Sequence, residues 1–126
     1  MEETRITTKE IQKTQELIDF IKKSPSCYHV IHNIAAELEE AGYEQLNEAK
    51  DWTLHKGGRY FVTRNQSSLI AFTIPENGID KMHILTSHSD SPTFKIKENP
   101  EIEVEKHYVK LNVEKYGGML CAPWFE

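Results

Sequence analysis

The sequence predicts an α+β chain: two helices, then a mostly antiparallel or mixed sheet. Three observations predict it. Between residues 7 and 41 apolar side chains recur at helical spacing; after Tyr43 they alternate or run in short β-branched and aromatic blocks; and helices come first and strands later, without a regular strand–helix repeat. The same order also fits an α/β segment that lacks most of its helices. With 126 residues the chain suffices for one small domain with a core.

The first helix is read from Thr7 to Lys23, with Ile11, Leu17, Ile18 and Ile21 on one stripe. Thr7 or Thr8 caps it, Glu10 completes a capping box with Thr7, and Lys22 and Lys23 suit the negative end of the helix dipole. Ser24-Pro25-Ser26 breaks the chain. Ser26 then caps a second helix to about Ala41, with Cys27, Val30, Ile31, Ile34, Ala35 and Leu38 as its stripe and Gly42 as its stop. His29 and His32 lie on it at i and i+3. Without an acidic or thiol partner in the pattern, they read as solvated or hydrogen-bonded.

Strands are expected at Trp52-Thr53-Leu54, over residues 59–64 and 68–74 as a hairpin closed at Asn65-Gln66-Ser67, over residues 81–86, and again over 94–97, 102–105 and 108–113. Gly57-Gly58 and Gly117-Gly118 read as turns. No Gly-Lys-Ser/Thr follows the first pair, so no phosphate loop is implied.

The chemistry-bearing stretch is Thr86-Ser87-His88-Ser89-Asp90-Ser91-Pro92. It follows the apolar run Met82-His83-Ile84-Leu85, which reads as a buried strand. On an extended backbone His88 and Asp90 point to one side. Imidazole is a common metal ligand, and a carboxylate commonly holds its other nitrogen. A surface turn is the competing reading, because Ser, Asp and Pro are turn residues.

A formal charge of −5, from 15 basic and 20 acidic side chains, argues against nucleic acid as a partner. No apolar run approaches the roughly 20 residues of a membrane-spanning helix. Met1-Glu2-Glu3-Thr4-Arg5 is too polar for a secretory signal. Cys27 and Cys121, far apart and in no C-x-x-C, suit a cytoplasmic protein with free thiols. No G-x-S-x-G is present, and neither cysteine has a histidine beside it in sequence to suggest a thiol nucleophile.

Four segments in order resemble the N-terminal part of the aspartyl aminopeptidase and aminopeptidase I family of zinc metallopeptidases. They are Ser24-Pro25-Ser26-Cys27-Tyr28-His29-Val30; Gly57-Gly58-Arg59-Tyr60-Phe61-Val62-Thr63-Arg64-Asn65 with Ser68-Leu69-Ile70-Ala71-Phe72; His88-Ser89-Asp90-Ser91-Pro92; and Lys110-Leu111-Asn112-Val113-Glu114-Lys115-Tyr116-Gly117-Gly118. The resemblance implies an incomplete N-terminal part of a zinc-exopeptidase-like α/β fold. Residues 1–96 would belong to the metallopeptidase domain, and 97–126 would begin an inserted β-rich oligomerisation domain. It implies an exopeptidase that removes N-terminal residues, acidic ones included, from peptide substrates with two zinc ions. His88 would be a metal ligand and Asp90 the carboxylate that orients it. The other ligands and the general base of the family have no counterpart here. It also implies a homo-oligomer, with dimers building a large particle. The apolar end Met119-Leu120-Cys121-Ala122-Pro123-Trp124-Phe125 and the final Glu126, where the family continues with Asp-Arg, fit a truncated copy that is inactive alone. The alternative is a non-catalytic binding or assembly module built on the same half-fold.

Overall fold

The computed structural model describes residues 7–125; the leading residues that bear on a secretory signal, and Glu126, lie outside the described residues. The chain divides into two units, one ending at Asp90 and the other beginning at Ser91.

The first unit opens with helices α1 (Thr8–Lys23) and α2 (Cys27–Glu40). The capping box of α1 is complete. The Glu10 carboxylate accepts the Thr7 amide at 2.6 Å, and the Thr7 hydroxyl accepts the Glu10 amide at 3.3 Å. The Thr7 backbone bond is the main cause holding the Glu10 carboxyl below its usual range. Helix α1 has the expected apolar stripe but buries none of it. Helix α2 ends through Ala41 and Gly42, whose φ of +81° is the left-handed stop that glycine adopts without steric cost.

A three-stranded sheet follows, in the order β1 (Glu44–Leu46), β2 (Arg59–Arg64), β3 (Ser68–Thr73). The β1–β2 pair is parallel, with Gln45 opposite Phe61; β2–β3 is antiparallel, with Tyr60 opposite Phe72. Strand β2 is thus hydrogen-bonded on both edges and covered on both faces. Phe61, fully buried, faces α2, whose Ile31 is 5% exposed. Residues Gln45 and Thr63 share that face and line a groove with Tyr28, Ile31 and His32 of α2. Tyr60, 3% exposed, points the other way, with its ring centroid 5.7 Å from that of Phe72. Burying a phenylalanine side chain contributes about 1.5–3 kcal/mol. The loop before β2 closes over the Tyr60 face: Trp52 packs on Phe72, and the Tyr60 hydroxyl accepts the His55 amide at 2.9 Å. Arg64 at the end of β2 pairs with Glu48 of the same loop, and that hydrogen bond holds the Glu48 carboxyl below its ordinary range.

Two expected strands are absent. Residues 52–54 are not a strand, because Trp52 is spent as a cover over Phe72 and its indole N–H is fixed to the Asn47 carbonyl at 2.8 Å. The short strand ahead of the hairpin is instead β1, which pairs parallel with β2. Residues 81–86 are also not a strand. None of the described strands pairs with them, and a strand needs a neighbour for its backbone groups. The run expected to be buried is exposed: Met82 73%, Ile84 72%, Leu85 99%.

The second unit is the hairpin of β4 (Thr93–Val104) and β5 (Tyr108–Tyr116), followed by a 3-10 turn, Ala122–Trp124. The runs read separately at 94–97 and 102–105 are one strand, passing through position 97. Its register shifts between Ile96 and Glu101. Pro100, which has no N–H to donate, falls in that irregular stretch, and the Asn112 side chain bonds the Asn99 carbonyl across it at 3.0 Å. The Trp124 ring meets Phe94 edge-on at 5.1 Å. Both hairpins close through paired residues at positive φ, Asn65 and Gln66 in one and Glu105 and Lys106 in the other. Such mirror-image turns match the strand twist. Among the described residues no helix is long and apolar enough to cross a membrane.

Gly58 lies beneath the Tyr60 ring, and a Cβ there would run into the phenol. Because Tyr60 is buried, its ring has little room to yield. Gly58→Ala is therefore expected to destabilise the first unit by about 1–3 kcal/mol, the range for overpacking a core. Denaturant unfolding checks this; an unchanged midpoint would show that the loop adapts freely.

Candidate metal centre

His88 lies in the irregular segment after β3 rather than at a strand end. Among the described residues its position is held from the C-terminal side only. Before it runs the exposed apolar stretch; after it the Ser89 hydroxyl donates to the Ser67 carbonyl, at the β2–β3 turn, over 2.8 Å. The site loop is therefore anchored to the hairpin built around β2. Nothing in the sequence pattern singles out Ser89, since a serine among turn residues satisfies a backbone group without any periodic signal.

The structure does bring Asp90 to His88, but chiefly through the backbone. His88 Nδ1 is 2.8 Å from the Asp90 main-chain carbonyl and 3.3 Å from the carboxylate oxygen Oδ1. A carbonyl oxygen only accepts, so Nδ1 must carry the proton. The neutral imidazole then presents Nε2 as an unprotonated lone pair, the form in which histidine ligates metal. The His88 side chain is 80% exposed and that of Asp90 45% exposed, so the carboxylate adds a charge beside the ring that solvent partly screens.

His29 Nδ1 is 2.8 Å from the Ser26 hydroxyl, a local contact at the start of α2, and His32 lines the groove between α2 and the sheet. Cys27 and Cys121 are free thiols. Among the described residues no three His, Cys, Asp or Glu side chains converge as a metal site would need. The donor chemistry at His88 therefore fits one ligand, not a closed set.

Comparison with known proteins defines the class. Residues 20–126 match the model of the family described as aminopeptidase I zinc metalloprotease (M18), and the chain belongs to that family. A relative from Clostridium acetobutylicum, named "Probable M18 family aminopeptidase 2", is 46% identical over 119 residues, which is 93% of this chain and 28% of the relative. In the cryo-EM structure of the Ape4 and Nbr1 complex, the matching chain superposes with a TM-score of 0.80 at 36% identity, covering 87% of this chain and 22% of that one. The S. cerevisiae mApe1 dodecamer gives 0.68 at 30% identity, with 84% and 25% covered. The chain thus spans little more than a quarter of the curated relative's length.

The carbonyl clamp has a spectroscopic consequence. Unconstrained neutral histidine favours the Nε2–H tautomer. Nitrogen NMR shifts of neutral His88 are expected to show the Nδ1–H tautomer, and the reverse assignment would break the geometry described.

Proposed function

We propose that this chain supplies the first histidine ligand of a zinc aminopeptidase centre, His88, and beside it Asp90, whose main-chain carbonyl orients the ring and whose carboxylate adds charge next to it. The observation that carries this reading is the Nδ1–H···O=C bond of His88, which turns the Nε2 lone pair outward in a chain of the zinc metalloprotease family. Two zinc ions, when bound, would polarise the scissile carbonyl and lower the pKa of a shared water. Within this chain His88 binds and Asp90 orients. The remaining ligands and the general base come from sequence outside these 126 residues, a view supported by the share of the relative that the chain spans.

The substrate is a peptide, cleaved behind its N-terminal residue, acidic residues included. The setting is cytoplasmic, which the free Cys27 and Cys121 support. Residues 97–126 are the start of an inserted β-rich assembly domain, and the complete protein is a homo-oligomer built from dimers. The dodecameric state in the name of the yeast relative supports the latter.

Substitution in the complete enzyme tests the ligand. His88→Ala is expected to abolish peptide turnover and lower bound zinc, whereas His29→Ala and His32→Ala leave both near the parent level. Asp90→Asn keeps the backbone clamp but loses the charge, so it should retain zinc at saturating metal while activity falls about 10- to 100-fold. Equal zinc loss in all three histidine variants would refute the assignment.

The 126-residue chain alone is expected to bind zinc weakly, to lack peptidase activity and to self-associate. One histidine cannot make a catalytic site, which needs about three protein ligands. The edge of β3 that pairs with no other strand among the described residues, and the exposed Leu85, Leu120 and Phe125, recruit other chains. Sedimentation and zinc titration check this. A cooperative monomer would instead favour a non-catalytic binding or assembly module, the reading that the incomplete ligand set also admits.

A further inference from the structure

We propose that Asn77 is a site of spontaneous deamidation and isoaspartate formation in the folded chain. Asn77 lies in the turn Pro75-Glu76-Asn77-Gly78 after β3, and it alone among the asparagines precedes a glycine. The reaction needs the amide nitrogen of the next residue to reach Asn77 Cγ, and three features leave that path open. Gly78 adopts φ +93°, and even an added Cβ there would meet nothing within 4 Å. No hydrogen bond to another described residue ties down the Gly78 amide nitrogen, and none holds the Asn77 side chain. Both residues are exposed.

The other asparagines lack this combination. Asn33 donates its side-chain amide to Lys23 and Ser24, Asn47 accepts the Ala49 amide, and Asn112 bonds Asn99. Asn99 precedes Pro100, whose nitrogen carries no hydrogen. Asn65 precedes Gln66, and any side chain beyond hydrogen on the following residue hinders the ring closure.

The Gly78 nitrogen forms a bond to Asn77 Cγ, and the Cγ–Nδ2 bond breaks. The side-chain nitrogen leaves as ammonia with the proton that the Gly78 amide gives up. Water then opens the cyclic imide. Attack at the side-chain carbonyl gives aspartate with the main chain restored; attack at the main-chain carbonyl gives isoaspartate, with the chain running through the side chain. The net change consumes one water and releases one ammonia. It adds a negative charge between Glu76 and Asp80. In the isoaspartyl form it also inserts a methylene into the main chain of the segment that leads to His88.

The test holds the folded chain in mildly alkaline buffer made with heavy-oxygen water, followed by peptide mapping. Tryptic cleavage yields residues 65–81, so fragmentation compares Asn77 with Asn65 inside one peptide. Heavy oxygen is expected at position 77, in two resolvable isomers, while Asn65 stays intact. Asn77→Gln should eliminate the signal, because a glutamine would need a larger ring, and Gly78→Ala should slow it. Conversion of Asn65 or Asn47 as early as Asn77, or reaction at Asn77 only after denaturant is added, would overturn the proposal.

Discussion

Everything in the first unit depends on β2 having two partners and two covers. A central strand leaves no backbone group unpaired, and one whose successive side chains are both buried, as Tyr60 and Phe61 are, must be packed from above and below. Helix α2 covers one side. The Trp52 loop, held by Asn47 and by the Tyr60 hydroxyl, covers the other. Because Gly58 leaves room for the Tyr60 ring, the turn into β2 and the packing on it are a single constraint.

The candidate site inherits its position from that strand at second hand. The β2–β3 turn offers the Ser67 carbonyl, Ser89 takes it, and His88 sits beside Ser89. None of the described strands pairs with the residues before it, and Met82, Ile84 and Leu85 are strongly exposed. The site therefore has a fixed exit and a weakly held approach.

What could be read from sequence was local. The Thr7–Glu10 box, the Gly42 stop, and the hairpin around Asn65 each rest on residues a few positions apart, and each formed. Trp52 and the run from Met82 to Leu85 misled because their composition suits a strand, whereas a strand exists only with a neighbour, and composition names no neighbour. Short β1 carried too little pattern to be seen. At the site, the two-residue spacing correctly joined His88 to Asp90, but it rested on an extended backbone. The contact arises from a bend in which the carbonyl, invisible in any residue code, reaches the ring first. Family membership, legible in four modest motifs, drew on relationships among segments rather than on any one of them.

The carbonyl clamp on His88 also separates two properties that usually change together. A main-chain acceptor cannot be removed by exchanging the side chain that bears it. The identity of residue 90 is then free to vary the charge next to the ring without disturbing which nitrogen faces outward. In evolutionary terms, the orientation of the ring and the charge beside it lie on separate axes, one written in the backbone and the other in a single codon.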